Sequence, residues 1–343
     1  MYEDHYHFSA KPFQLNPDPR FFFGSKGHNR AMAYLDYGLS LGEGFIVISG
    51  EVGAGKTTLV RNLFRQLDAN SLVAAQLVST QMDAEDTLRS VAAAFGLEHE
   101  GLAKSSLLKN LEDFLIAATR QGKRALLVVD EAQNLTPRAV EELRMLSNFQ
   151  NNERSLIQTF LLGQPEFRGI LQSPNMQQLR QRVVASYHLG PLDSGETQGY
   201  IEHRLRTVGW EGNPSFDADA FAALHRFTGG IPRRINTFCD RLLLFGFLEE
   251  KTHFGNAEID EVITDLRSEM AHQDFQGPTG VAGMSDPTQQ MMGEDGQRLM
   301  LRVDQMERSV NRILPIVRKI LFTVSERQAT ADTPDASRRA PDA

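Results

Sequence analysis

The chain has 343 residues, 41% of them hydrophobic, enough for one large core or for two domains and a tail. Its 36 lysines and arginines against 44 aspartates and glutamates give a formal net charge of −8, which argues against a general nucleic-acid or anionic-lipid binder, though a local basic patch would escape this test. A single cysteine, Cys239, excludes an intrachain disulfide and a site built from several thiolates, and it suits a reducing compartment. The opening MYEDHYHFSAKPF has no apolar stretch of the signal-peptide kind. No run reaches the ~18 apolar residues of a membrane helix, so a cytoplasmic protein is expected, with any contact at the inner membrane peripheral.

Residues 1–43 combine aromatics, prolines and glycine with a helical pattern over 28–41, and read as an N-terminal arm and a first helix. Over 44–191 short apolar runs at 45–49, 72–78, 125–130, 157–162 and 183–189 alternate with amphipathic stretches at 56–67, 84–95, 105–121 and 137–149. Most of the runs are continuous, as in strands buried on both faces, so the region predicts an α/β domain with a parallel doubly wound sheet. After Gly190 and Pro191 no strand is expected. Helical patterns at 196–208, 218–227, 232–249 and 257–270, with Asp217 as an N-cap, predict a small all-helical lid over 192–271. Residues 272–297 read as a flexible linker, 298–327 as an amphipathic or coiled-coil helix, and 328–343 as a disordered tail.

Gly50-Glu51-Val52-Gly53-Ala54-Gly55-Lys56-Thr57 matches G-x-x-x-x-G-K-[ST] at every fixed position, after a strand and opening a helix. Glycines let the backbone curl so that its N–H groups face phosphate oxygens, and the helix N-terminus adds its positive dipole. Lys56 would reach the outer phosphates of ATP and the Thr57 hydroxyl would ligate Mg²⁺; Thr58 joins the nucleotide-binding set. A second signal, Leu126-Leu127-Val128-Val129-Asp130-Glu131, carries two acids to the end of an apolar strand. Asp130 would hold Mg²⁺ and Glu131 would orient the attacking water, since neighbouring strand side chains point in different directions.

These motifs, with KPFQLNPDPRFFF, EELRMLSNFQ, FLLGQPEF, LRQRVVASYHLGPL and GGIPRRIN, resemble the AAA+ ATPases of the general secretion pathway protein A (ExeA) type over about residues 1–270. Within that type they look like the subgroup of XrtA/PEP-CTERM (exosortase) system-associated ATPases. The resemblance implies an AAA+ P-loop fold and Mg²⁺-dependent ATP hydrolysis, coupled to conformational work on a secretion or exopolysaccharide-export system. It implies a homo-oligomer with ATP at subunit interfaces and a protein partner from such a system. Residue by residue, it implies that Gln164 is a polar sensor near the γ-phosphate, with a plain strand-to-helix turn as the alternative. Arg182 matches the arginine finger, and Arg180 competes for that role. Arg233, in Gly229-Gly230-Ile231-Pro232-Arg233-Arg234, matches the lid sensor, with Arg234 facing elsewhere. Pro12, Phe13 and Phe21–Phe23 would either wall the adenine or pack the arm on the protein, and Ser79 or Thr80 would be a polar switch toward Glu131.

Relatives of this type commonly continue into a membrane helix and a peptidoglycan-binding domain. Here Leu299, Val303, Met306, Val310, Ile313, Val317, Ile320 and Val324 follow heptad spacing instead, interrupted by Pro315. That seam would self-associate or lie on the lid. Two other functions share the core: a DNA-acting ATPase of the transposition-helper or initiator kind, against which the acidic balance argues, and an ATP-dependent signalling adaptor, against which the intact Glu131 argues. Cys239 sits on an apolar helix face and reads as core.

Overall fold

The computed structural model describes residues 1–273 apart from 69, 79–81 and 152–153. Ser79, Thr80, the heptad-spaced tail and all but the start of the expected linker lie outside the described residues.

An arm containing α1 (Tyr2–His5) leads into α2 (Lys26–Leu41), and then β1 (Phe45–Gly50), α3 (Lys56–Gln66), β2 (Leu72–Val78), α4 (Ala84–Ala94), α5 (Lys104–Arg120), β3 (Arg124–Asp130) and α6 (Pro137–Leu146) follow. A small antiparallel pair, β4 (Gln150–Asn151) with β5 (Arg154–Ser155), precedes β6 (Ile157–Gly163), α7 (Pro165–Gln172), α8 (Gln177–Arg180) and β7 (Val183–Leu189). The main sheet is parallel throughout, in the order β2-β3-β6-β1-β7. Strand side chains alternate between two cores. Leu127, Val129 and Leu161 meet α4–α7 on one face, while Leu126, Val128 and Phe160 meet α2 and α3 on the other. Burial on both faces explains why β1 and β3 read as unbroken apolar runs. The strand β7, at the sheet's edge, differs: Ala185 and Tyr187 pack toward α2 on one face, while Val184, Ser186 and His188 point to the other face and are exposed.

The lid comprises α9 (Ser194–Thr207), α10 (Ala218–Thr228), α11 (Pro232–Leu248) and α12 (Asn256–Gln273). Asp193 and Glu196 cap α9 reciprocally: the Asp193 carboxylate accepts from Glu196 N at 2.7 Å and the Glu196 carboxylate from Asp193 N at 3.1 Å. Asp217 occupies the N-cap position of α10, but its side chain caps nothing and lies 3.4 Å from His253 Nε2. That places it beside a feature no strand signal announced, the two-residue parallel pairing of β8 (Ser215–Phe216) with β9 (His253–Phe254).

Most of the arm's aromatic rings pack into the lid, while Phe22 packs against the α2 and α3 side of the sheet. Tyr2, Tyr6, Phe8, Phe13 and Phe21 share one buried cluster with Ile201, Leu205, Phe238 and Leu242. Each such ring contributes on the order of 1.5–3 kcal/mol by leaving water. The Tyr2 hydroxyl donates to Asp240 at 2.5 Å, Tyr6 to the Lys251 carbonyl at 2.9 Å, and Ser9 N to the Val208 carbonyl at 2.9 Å. Cys239 is buried in this cluster and burial pushes its thiol up, as suits a packing residue. Among the described residues no helix is long and apolar enough to cross a membrane. Met1–Glu269 form a single unit by internal contacts.

Candidate functional site

The sheet order builds the site. β1 ends in the phosphate loop and β3 in the acidic pair, with β6 between them, so whatever follows β6 stands between loop and acids. That residue is Gln164. All three ends lie at the carboxyl edge of the sheet, where α/β folds form their sites.

In the loop, Gly53 has φ 82 and Gly55 φ 100, left-handed values that a side chain resists. Space adds a second requirement. A Cβ on Gly53 would lie 2.3 Å from the Arg233 Cβ, and one on Gly55 would lie 2.7 Å from His28 Nε2. Gly55 N-caps α3, which leaves the first N–H groups of that helix directed toward the cleft. Lys56 is buried and donates from Nζ to the carbonyls of Gly50 at 2.6 Å and Glu51 at 3.0 Å. Burial pulls its ammonium down, opposed by the carboxylates of Glu131 and Asp130.

The Thr57 hydroxyl donates to Asp130 Oδ2 at 2.8 Å, and the Glu131 backbone N–H donates to Asp130 Oδ1 at 3.0 Å. Burial raises the Asp130 carboxyl, against these two hydrogen bonds. Glu131 holds φ 54 and ψ 41, a left-handed conformation costing a non-glycine residue roughly 1 kcal/mol or more. It turns the chain just beyond the strand, and Glu131 Oε2 accepts from Gln133 Nε2 at 2.7 Å and from Gln164 Nε2 at 3.3 Å. Gln164 is also the N-cap residue of α7, with Pro165 at the first position, and its N–H donates to Gln133 Oε1 at 3.0 Å. The turn and the reach toward Glu131 therefore coexist in one residue. A hydroxyl and a carboxylate side by side are hard oxygen donors suited to Mg²⁺, which keeps several waters and needs few protein ligands. The loop with its left-handed glycines is likewise a cradle that a triphosphate fits.

A cleft of about 390 Å³ runs from this loop to the arm and lid. Gly53, Lys56, Thr57, Thr58, Glu131 and Arg233 line its loop end; Phe21, Phe22 and Phe23 line it further along, whereas Pro12 and Phe13 do not. Phe13 is instead sealed in the lid cluster. Arg233 lies over the loop, its N–H donating to the Gly53 carbonyl at 3.2 Å. Neither arginine of the finger segment lines this cleft. Arg182 donates to the Ser147 carbonyl at 3.1 Å, to the Ser147 hydroxyl at 2.9 Å and to Asn148 Oδ1, at the C-terminal end of α6 where a cation is favoured. Arg180 donates to the carbonyls of Leu171 at 2.5 Å and Ser173 at 2.7 Å.

The structure adds residues that motif reading passed over. His28, on α2, is buried against the loop: Nε2 lies 3.1 Å from the Ala54 carbonyl and Nδ1 2.7 Å from the Ser25 hydroxyl. A carbonyl only accepts, so Nε2 carries the hydrogen and Nδ1 accepts from Ser25. Tyr200, Arg204 and Asn236 border the cleft from the lid. Asn236 stands three residues after Arg233, a helical spacing that could have flagged it.

The fold is that of the AAA+ P-loop proteins. Residues 40–171 match the AAA domain family. Over 248 residues the chain is 40% identical to General secretion pathway protein A of Aeromonas hydrophila, covering 72% of this chain and 45% of that protein. The chain thus spans less than half the length of that relative. Among solved structures it is similar to the Aeropyrum pernix ORC2 protein in its ADPNP-ADP complexes, with a TM-score of 0.58 and 15% identity over 75% of this chain and 71% of that one. It is also similar to Cdc6p from Pyrobaculum aerophilum, with a TM-score of 0.55 and 15% identity over 74% and 70%. At that identity both likenesses carry the fold alone.

Proposed function

We propose that this chain binds ATP with Mg²⁺ and hydrolyses it, as an AAA+ ATPase of the general secretion pathway protein A type. The observation that carries this is the 2.8 Å hydrogen bond from Thr57 to Asp130, which joins the loop to the acidic strand end with Glu131 alongside. Lys56 and the loop N–H groups hold the phosphates. Thr57 and Asp130 hold Mg²⁺, which when bound draws charge from the phosphate oxygens. Glu131, fixed by Gln133 and Gln164, orients a water toward the γ-phosphorus and takes its proton as the bond to the bridging oxygen breaks. Arg233 senses the γ-phosphate from the lid, and Arg182 serves the site of a neighbouring copy. The 40% identity to a secretion-pathway protein supports work on a secretion system. The narrower setting, an exosortase or exopolysaccharide-export locus with a protein partner from it, rests on the sequence resemblance. So does a place in the cytoplasm with peripheral contact at the inner membrane.

Two variants separate the roles. Lys56→Ala should weaken ATP binding by at least about tenfold and abolish turnover, since it removes a ground-state contact. Glu131→Gln should keep ATP binding and lose about 100-fold or more in turnover, since it removes only the base. Near-normal hydrolysis by the Glu131→Gln protein in a phosphate-release assay would sink the assignment.

A further inference from the structure

Three side chains in the lid half of the cleft form a hydrogen-bond chain whose direction is set by chemistry. Arg204, on α9, has N–H donors and no acceptor. Its Nη1 donates to the Tyr200 hydroxyl at 2.7 Å, and that hydroxyl donates its own hydrogen to Asn236 Oδ1 at 2.9 Å. All three residues are buried. Turning the Asn236 amide over would set its N–H₂ against the tyrosine hydroxyl and leave that hydrogen without its acceptor, so the observed order is the one that donors and acceptors favour. The origin of the chain is fixed as well. Arg204 donates to the carbonyls of Pro12 at 2.6 Å and Gln14 at 3.1 Å, and its guanidinium lies 4.7 Å from the ring centre of Phe21. Burial pushes the Tyr200 phenol up, which keeps its hydrogen in place.

The Asn236 oxygen is therefore engaged, and among the described residues no acceptor takes up its Nδ2 hydrogens. The residue is only 7% exposed, and it borders the cleft. Arg233 marks the phosphate end of α11 by lying over Gly53, so Asn236 stands about 4.5 Å further along the helix, toward the arm. There Phe21, Phe22, Phe23 and Pro17 wall the cleft with flat apolar surface, which suits a base better than a sugar.

We propose that Asn236 is the base-reading residue of this site: its amide N–H₂ donates to an acceptor nitrogen of the purine ring, with Tyr200 and Arg204 as positioning residues. The inference rests on the nucleotide reading above. Asparagine in this orientation presents donors only, so a base that lacks the matching ring nitrogen leaves a buried amide unpaired, which is how such sites discriminate.

The test is calorimetric titration of the full chain with ATP, with 1-deaza-, 3-deaza- and 7-deaza-ATP, with 2′-deoxy-ATP, and with inorganic tripolyphosphate, which probes the loop alone. Asn236→Asp keeps the shape and replaces donors by acceptors. It should weaken ATP by about tenfold or more while tripolyphosphate is unchanged. One deaza analogue should lose a comparable factor against the wild type and nothing further against Asn236→Asp. Tyr200→Phe, which frees the amide to turn, should shrink that discrimination, and Asn236→Ser should reproduce the loss without adding a charge. Equal binding of all three deaza analogues by the wild type overturns the inference. So does a loss confined to 2′-deoxy-ATP, or a loss of tripolyphosphate equal to that of ATP in both Asn236 variants. A wild type that binds tripolyphosphate in a Lys56-dependent way but shows no base preference refutes the inference and leaves the phosphate site standing. A wild type that binds neither ligand overturns the nucleotide reading, and this inference with it.

Discussion

His28 shows how a residue outside any motif can support the loop. Its ring fills the space where a Gly55 side chain would go and donates to the carbonyl next door. Burial holds the imidazole below its ordinary value of about 6.5, opposed by the hydrogen bond to Ala54 and the carboxylate of Glu196. As pH falls through about 6.5 the unfolded chain takes up this proton before the folded one does. The His28 contribution is therefore whole above that value and lost as pH drops toward the lower folded one. Chemical denaturation at pH 7.5 and 5.5 should show a smaller acid loss in His28→Phe than in the wild type; equal losses would assign the acid sensitivity elsewhere. The loop and the acid pair could be read from the sequence because each is contiguous and its chemistry is local. His28 contacts Ala54 across 26 positions, and Arg204 contacts Pro12 across 192. No short pattern encodes such partners, and an isolated histidine or arginine looks like any other on its helix face.

Between elements, the decisive contact is that of α11 with the loop. Gly53 is required twice, by its φ of 82 and by the Arg233 Cβ that would sit 2.3 Å from a new side chain. Gly209 separates the two causes, since it has φ 91 but nothing within 4 Å of a Cβ. Gly209→Ala should cost about 1 kcal/mol of backbone strain, whereas Gly53→Ala should cost about 1–3 kcal/mol more and displace the lid. Urea unfolding of both variants measures the difference, and equal losses would mean that lid and loop do not press on one another. The core strands were legible because burial on both faces makes them continuous apolar runs. The edge position of β7 was not, since order in a sheet is a tertiary matter; nor were β8 and β9, at two residues each too short for any period.

At the scale of the molecule, Arg182 and Arg180 are both engaged with carbonyls of their own chain and lie outside the lining of its cleft. An arginine that served catalysis from there would have to serve a second copy. If Arg182 does so, Arg182→Ala should lose turnover by about 10³-fold or more with ATP binding nearly intact. Mixing it with Lys56→Ala protein should restore part of the activity, because each supplies what the other lacks. Verified co-assembly without any recovery would rule out action between subunits.

The arm's place in the lid has a consequence for how the chain is made. The cluster that joins arm and lid is discontinuous in sequence, begun by the arm and finished only after the whole sheet has been strung between its two parts. Tyr2, Tyr6, Phe8 and Phe13 leave the ribosome before the sheet does, yet their burial partners around Ile201 and Leu205 follow roughly 190 residues later, a wait of about 10–40 s at ordinary elongation rates. During that interval the sheet domain can close on itself while these rings remain in water, the kind of surface that chaperones bind. The arm is thus synthesised before the sheet yet finds its native neighbours after it, and the lid completes only when both parts of its fold are present.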